Sequence, residues 1–204
     1  MLLALSFPKF GHPAFAWIAL TPLVIAAVLS SCRSARRSFL IGLTAGGVYF
    51  ALTLYWLVET MTSFGGLHPA LAVFAAGVLV AYLALFPGAF ALLVSRFHRA
   101  FGSRGVLLAP AAWAATELGR QYVLDGFPWI LLGYSQVTVL PVAQLASVTG
   151  VYGLSALLAT TATAAAAVVL DRGRTRWAAA AAAALLVAGV VVWGQARLRT
   201  SWLL

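Results

Sequence analysis

Acidic charge is what this sequence lacks most: four Asp and Glu stand against thirteen Lys and Arg in 204 residues, and only 8% of positions are charged. A water-soluble surface needs many more ionic groups, and a chain that is 63% hydrophobic with a mean hydropathy of +1.00 cannot hide its apolar surface in a soluble core. Cysteine occurs once, as Cys32, which excludes an internal disulfide and a cysteine-based zinc site. Lysine also occurs once, as Lys9. The three histidines, His12, His68 and His98, fall in three different loops with no metal-ligand neighbour at helical spacing, so neither a metal site nor a cofactor is expected. A net charge of +9 would suggest nucleic acid in a soluble chain. Here the arginines cluster between apolar segments, which points to orientation in a membrane and to no nucleic-acid partner.

What is present is a series of apolar segments long enough to cross a bilayer at roughly 20 residues each. The expected fold is all-α: one polytopic transmembrane helix bundle over residues 1–204, of six or seven spans, with one external re-entrant or interfacial loop. The spans fall at about 2–8 (partial), 13–30, 38–58, 69–95, 105–121, 142–170 and 177–195. Gly42, Gly46 and Gly47 allow close helix contact in the 38–58 span, and Pro87 is expected to kink the 69–95 span. Leu29-Ser30-Ser31-Cys32 has the look of a lipoprotein cleavage site. Positive charge should then precede the apolar run, yet Arg33, Arg36 and Arg37 follow it. Three loops carry three arginines each: 33, 36 and 37; 96, 99 and 104; 172, 174 and 176. They alternate with arginine-poor connections, which sets the arginine-rich loops in the cytoplasm. The Glu59 loop, the 117–136 stretch and the C-terminus then face outward.

That stretch, ELGRQYVLDGFPWILLGYSQ, holds two of the four acidic residues, Glu117 and Asp125, with one arginine. Glu117 and Arg120 are three apart and share a helix face. Asp125-Gly126 ends the helical pattern, and Phe127-Pro128-Trp129 opens an apolar run too short to cross a membrane, closed by Gly133-Tyr134-Ser135-Gln136. Ionisable groups at membrane depth cost at least ~2.5 kcal/mol each and tend to mark functional sites. Glu117 and Arg120 therefore either close an ion pair at a helix end, or Arg120 holds a lipid phosphate through its two-pronged guanidinium with Glu117 positioning it. Phe127-Pro128-Trp129 is a rigid interfacial anchor or part of a binding site. Glu59 ends a span, and extends into the external loop or lines a cavity.

Catalytic groups are scarce. Ser63, His68 and Asp125 make a triad only on paper, since nothing in their spacing supports it. Cys32 sits among arginines with no histidine beside it to activate a thiolate. A small permease or channel would need polar residues along a common path, which the spans lack. A membrane anchor that binds a partner protein through its external loops is a further alternative.

The order of short motifs carries a family resemblance. It runs from Phe7-Pro8-Lys9-Phe10-Gly11 with Trp17 and Pro22, through Leu54-Tyr55-Trp56 and Thr62-Ser63-Phe64-Gly65-Gly66, to Glu117-Leu118-Gly119-Arg120. Gly126-Phe127-Pro128-Trp129, Gly133-Tyr134-Ser135-Gln136, Pro141 with Gln144-Leu145-Ala146, and Gly150-Val151-Tyr152-Gly153 follow. This resembles the N-terminal membrane domain of bacterial apolipoprotein N-acyltransferase over nearly the whole chain. The resemblance implies transfer of an acyl chain from a phospholipid to the amino group of a diacylglyceryl-cysteine lipoprotein, on the outer face of the cytoplasmic membrane. It implies that the chemistry belongs to a nitrilase-like domain with a Glu-Lys-Cys triad. With Lys9 and Cys32 the single residues of their kinds, no triad carries over. The expectation is a lipid-admitting platform, truncated or one half of a split enzyme with a separate nitrilase-like subunit, and not catalytic alone. Its substrate-binding residues are expected to be Glu117, Arg120, Phe127, Pro128, Trp129, Tyr134 and Gln136.

Overall fold

The computed structural model describes residues 2–7 and 12–201, with Asp125 and Ser201 described by their backbone alone, and every regular element among them is helical. The motif residues from Pro8 to Gly11 lie outside the described residues. Helix is the only open solution for single apolar segments in lipid, because each backbone N–H and C=O must find its partner within the segment. The α-helices run α1 (Leu2–Leu5), α2 (Thr21–Ser31), α3 (Ala35–Thr53), α4 (Trp56–Ser63), α5 (Pro69–Phe101), α6 (Ala109–Tyr122), α7 (Leu140–Ala143), α8 (Ala146–Leu170) and α9 (Thr175–Ser201). Short 3-10 turns fill Pro13–Trp17, Gly102–Leu108, Val123–Asp125 and Leu132–Gln136.

Four helical runs are long and apolar enough to cross a membrane, five if the bent pair α3 and α4 counts as one, so the chain is a multi-pass membrane protein. The 38–58 segment is not straight: α3 and α4 meet at 48° around Leu54 and Tyr55. The 69–95 segment extends to Phe101, and α5 continues as one helix through Pro87. Gly102, at φ 60, ends it in a left-handed conformation that glycine adopts without strain. The 105–121 segment divides between a 3-10 turn and α6. With 14 residues, α6 is only about 21 Å long, short of a hydrocarbon core of about 30 Å.

Local signals set the boundaries. Ser34 caps α3 by accepting from the Arg37 N–H at 3.1 Å, and His68 Nδ1 accepts from the Ala70 N–H at 3.3 Å ahead of Pro69. His12 Nδ1 likewise accepts from the Ala14 N–H, so two of the three histidines cap helices. No cluster of metal-ligating residues exists among the described residues. Before α9, the Thr175 hydroxyl and the Gly173 N–H donate to Asp171 and hold its carboxyl below the usual aspartate range.

α3 lies along α5, α6 folds back on α5, and α8 packs against α6 and α2, while α9 rests chiefly on α8 and α7. Phe50, Leu83, Phe90, Val94, Trp113, Leu132 and Leu158 form the centre of the core. Antiparallel packing of α6 on α5 sets Trp113 edge-on to Phe90, with centroids 5.0 Å apart, and lets the Tyr82 hydroxyl donate to Val123 O at 2.9 Å. The end of α6 is therefore level with the middle of a 33-residue helix about 50 Å long, and not with its tip.

Candidate functional site: a buried polar anchor under a non-helical loop

Because α6 stops alongside the middle of α5, the chain from Gly126 to Leu131 must pass through the bundle without helical hydrogen bonds. Non-helical backbone at that depth is tolerated only where protein groups satisfy it. Glu117 Oε1 accepts from the Leu132 N–H at 2.8 Å, and the Ser155 hydroxyl oxygen on α8 accepts from the Gly133 N–H at 2.9 Å. The Ile130 carbonyl accepts twice, from the Tyr49 hydroxyl of α3 at 2.9 Å and from Arg120 Nη2 at 3.3 Å. Three helices thus supply the partners that the loop's own backbone lacks.

Glu117 and Arg120 are 4% and 3% exposed, inside the core and away from any surface. They share one face of α6, as their spacing requires, but form no direct ion pair among the described residues. The guanidinium lies over the Phe50 ring, 5.1 Å from its centroid, and reaches the Ile130 carbonyl. The two readings open for this pair are an ion pair at a helix end and an arginine that holds a lipid phosphate; in the structure the aromatic face and the loop carbonyl are the groups that the guanidinium meets. Gln136 is fully buried as well, and its Nε2 donates to Pro13 O at 2.9 Å and to the Ser135 hydroxyl at 3.0 Å, tying the loop to the first 3-10 turn.

The other four expected residues divide differently. Trp129 and Tyr134 are 54% and 45% exposed, Pro128 is exposed and Phe127 half-buried. Trp129 stacks between Trp56 of α4 and Phe127, with ring centroids 5.6 and 6.0 Å away. Leu124 and Ile130, neither of them glycine, have φ of 51° and 57°. Such left-handed conformations in bulky residues persist only where the surroundings enforce them and gather at functional sites. Gly126, at φ 79, makes the turn between them, and a Cβ there would stand 1.9 Å from the Gln121 carbonyl oxygen.

Glu59 is exposed on α4, and Cys32 is exposed at the end of α2. Neither joins this cluster. Tyr49, Phe50, Trp113 and Ser155 do, and sequence reasoning passed over them. A tyrosine and a serine inside apolar spans were the available signal, weak because such residues also serve as ordinary helix packing. Ser155→Ala leaves the buried Gly133 N–H without an acceptor and is expected to cost about 1–3 kcal/mol, read as a lower unfolding midpoint in bilayer discs. Ser155→Thr, which keeps the hydroxyl, is the control.

A family model described as the apolipoprotein N-acyltransferase N-terminal domain matches residues 1–164. The apolipoprotein N-acyltransferase of Geobacter metallireducens is 41% identical over 162 residues, covering 78% of this chain and 30% of that protein. That of Chromobacterium violaceum is 33% identical over 193 residues, covering 94% and 36%, and that of Nitrosomonas europaea 40% identical over 126 residues, covering 62% and 25%. The chain spans about a third or less of the length of these relatives. The match takes in α1 to most of α8, including the polar anchor and its loop, and on that ground the chain belongs to the apolipoprotein N-acyltransferase N-terminal domain family.

Proposed function

We propose that these residues form the membrane platform of a lipoprotein N-acyltransferase of the bacterial inner membrane, where a phospholipid acyl chain is passed to the N-terminal amine of a diacylglyceryl-cysteine lipoprotein. Family membership supports this, and one geometric observation carries it: a strained, non-helical loop is pinned at helix-middle depth by buried ionic side chains and presents Trp129 and Tyr134 outward. Such a loop is re-entrant. Phe127, Pro128, Trp129 and Tyr134 meet the lipid substrates, and Glu117, Arg120 and Gln136 hold them in place as positioning residues. Counting α1 as a partial span, and the short α6 together with its re-entrant loop as one return through the membrane, brings the crossings to six or seven in a single domain.

The arginine-rich loops face the cytoplasm, while α4, its following loop and the C-terminus face outward. With one lysine and one cysteine in its composition, the platform takes its acyl-transferring groups from a nitrilase-like catalytic unit, either continuous with it or a separate subunit. No cofactor is required. Binding of a fluorescent diacylglyceryl-cysteine lipopeptide to the protein in lipid nanodiscs tests the site. Trp129→Ala is expected to weaken it roughly tenfold, or ~1.4 kcal/mol, the loss of one aromatic anchor. Unchanged affinity would take the aromatic rim out of substrate recognition.

A further inference from the structure

The three arginine-rich connections come together at one end of the bundle. A Cβ on Gly42 of α3 would meet Pro87, Gly88 and Ala91 of α5, and one on Gly46 would meet Ala84 and Pro87, so the two helices run antiparallel. From that contact α3 leads back to Arg36 and Arg37 as α5 leads on to Arg96 and Arg99. Near its start α8 lies against the end of α6, where the Tyr152 hydroxyl donates to Gln121 Oε1, and it also touches the 3-10 turn Gly102–Leu108 that precedes α6. It is therefore antiparallel to α6 and delivers Arg172 and Arg174 to the same end. Eight of the nine arginines in these connections are exposed, Arg176 alone being partly covered. Asp171 is the one carboxylate in the three connections, and its oxygens already accept from the Thr175 hydroxyl and the Gly173 N–H.

We infer that this end of the bundle binds the headgroups of anionic phospholipids in the leaflet it meets. Charge complementarity identifies the partner: a dense, nearly unopposed positive surface draws anionic groups, and a guanidinium can hold two oxygens of one phosphate. Apolar neighbours place that phosphate on a lipid. Leu29 stands ahead of Arg33, Phe101 and Leu107 flank Arg104, and Trp177 follows Arg176, whose guanidinium lies over its ring; all four apolar side chains are more than half exposed. A nucleic acid or an acidic peptide would leave them in water, whereas a lipid takes the guanidinium at its headgroup and the apolar group beside its acyl carbons. At about 50 Å against a hydrocarbon core of about 30 Å, α5 is long enough to carry its last arginines into the headgroup layer. Orientation by arginine is settled as a chain inserts. Lipid selection is a property of the folded bundle, because it needs the three connections side by side.

Spin-labelled lipids in phosphatidylcholine vesicles that hold the whole protein test this, through the fraction of each label that the protein immobilises. Labelled phosphatidylglycerol is expected to associate roughly fivefold more than labelled phosphatidylcholine at low salt, the effect of about one well-placed arginine. High salt should bring the ratio toward one. Arg96→Gln, Arg99→Gln and Arg104→Gln together should lower the ratio, and the matching lysine substitutions should keep it. A ratio near one for the wild type, or an unchanged ratio with the three glutamines, overturns the inference. Inorganic phosphate at matched ionic strength should leave the lipid bound, and loss of the preference there would overturn it in favour of a site for the free anion. The readout depends neither on acyl transfer nor on which side of the membrane this end occupies.

Discussion

Glu117→Ala is expected to destabilise the protein by roughly 3–5 kcal/mol, the cost of leaving a buried charge uncompensated. Two losses combine. The Leu132 N–H, fully buried, loses its acceptor, and Arg120 keeps its charge inside the core beside the Phe50 ring and the Ile130 carbonyl. Glu117→Gln separates them, because its amide oxygen can still accept from Leu132 while the negative charge is gone. A smaller loss is expected for it, with the difference between the variants reporting the backbone bond. Unfolding in bilayers, followed by the accessibility of a probe on α8, measures both. Wild-type stability for Glu117→Ala would mean that the loop does not depend on this carboxylate.

Gly42→Ala carries the second large effect. A Cβ at this position would lie 2.2 Å from the Pro87 carbonyl oxygen and 2.8 Å from both the Gly88 Cα and the Ala91 Cβ. Backbone cannot move aside as a flexible side chain can, so α3 must lift from α5, and overpacking of this kind costs about 1–3 kcal/mol. The contact adjoins a small cavity lined by Arg120, whose wall includes Phe50 of α3 and Pro87 of α5. Separation of the two helices should therefore also loosen Arg120, seen as faster exchange of its side-chain protons. Gly47→Ala is the contrast, since nothing lies within 4 Å of its added carbon. Replacing a mid-helix glycine there should be neutral or stabilising by up to about 1 kcal/mol. Equal losses for the two variants would rule out the close approach at Pro87.

Glycine spacing in the sequence marks a contact face without saying which member makes the contact. Gly42 and Gly46 face α5 and Gly47 does not, and only the packed pair separates them. The spans were legible because hydropathy over about 20 residues is a strong signal, and so was the 117–136 break, since Gly-Phe-Pro-Trp cannot continue a helix. Depth was not legible. A 14-residue α6 folded along the middle of a 33-residue α5 depends on where Gly102 turns the chain, and the charge pattern alone put Arg120 near a membrane surface. The anchor residues Tyr49 and Ser155 were hidden for a related reason. Their partners are loop backbone groups that sequence alone leaves unpaired, 81 and 22 positions away along the chain.

Orientation is the claim on which the proposed function turns, because the loop and its aromatic rim must open toward the outer face if the proposed lipoprotein substrates are to reach them. Phe64, 88% exposed after α4, is the place to read it. In a Cys32→Ser background, Phe64→Cys should react with a membrane-impermeant maleimide on intact spheroplasts, while Arg99→Cys, exposed in the last turn of α5, should react only after lysis. Labelling at Arg99→Cys before lysis, with Phe64→Cys protected until lysis, would contradict the account.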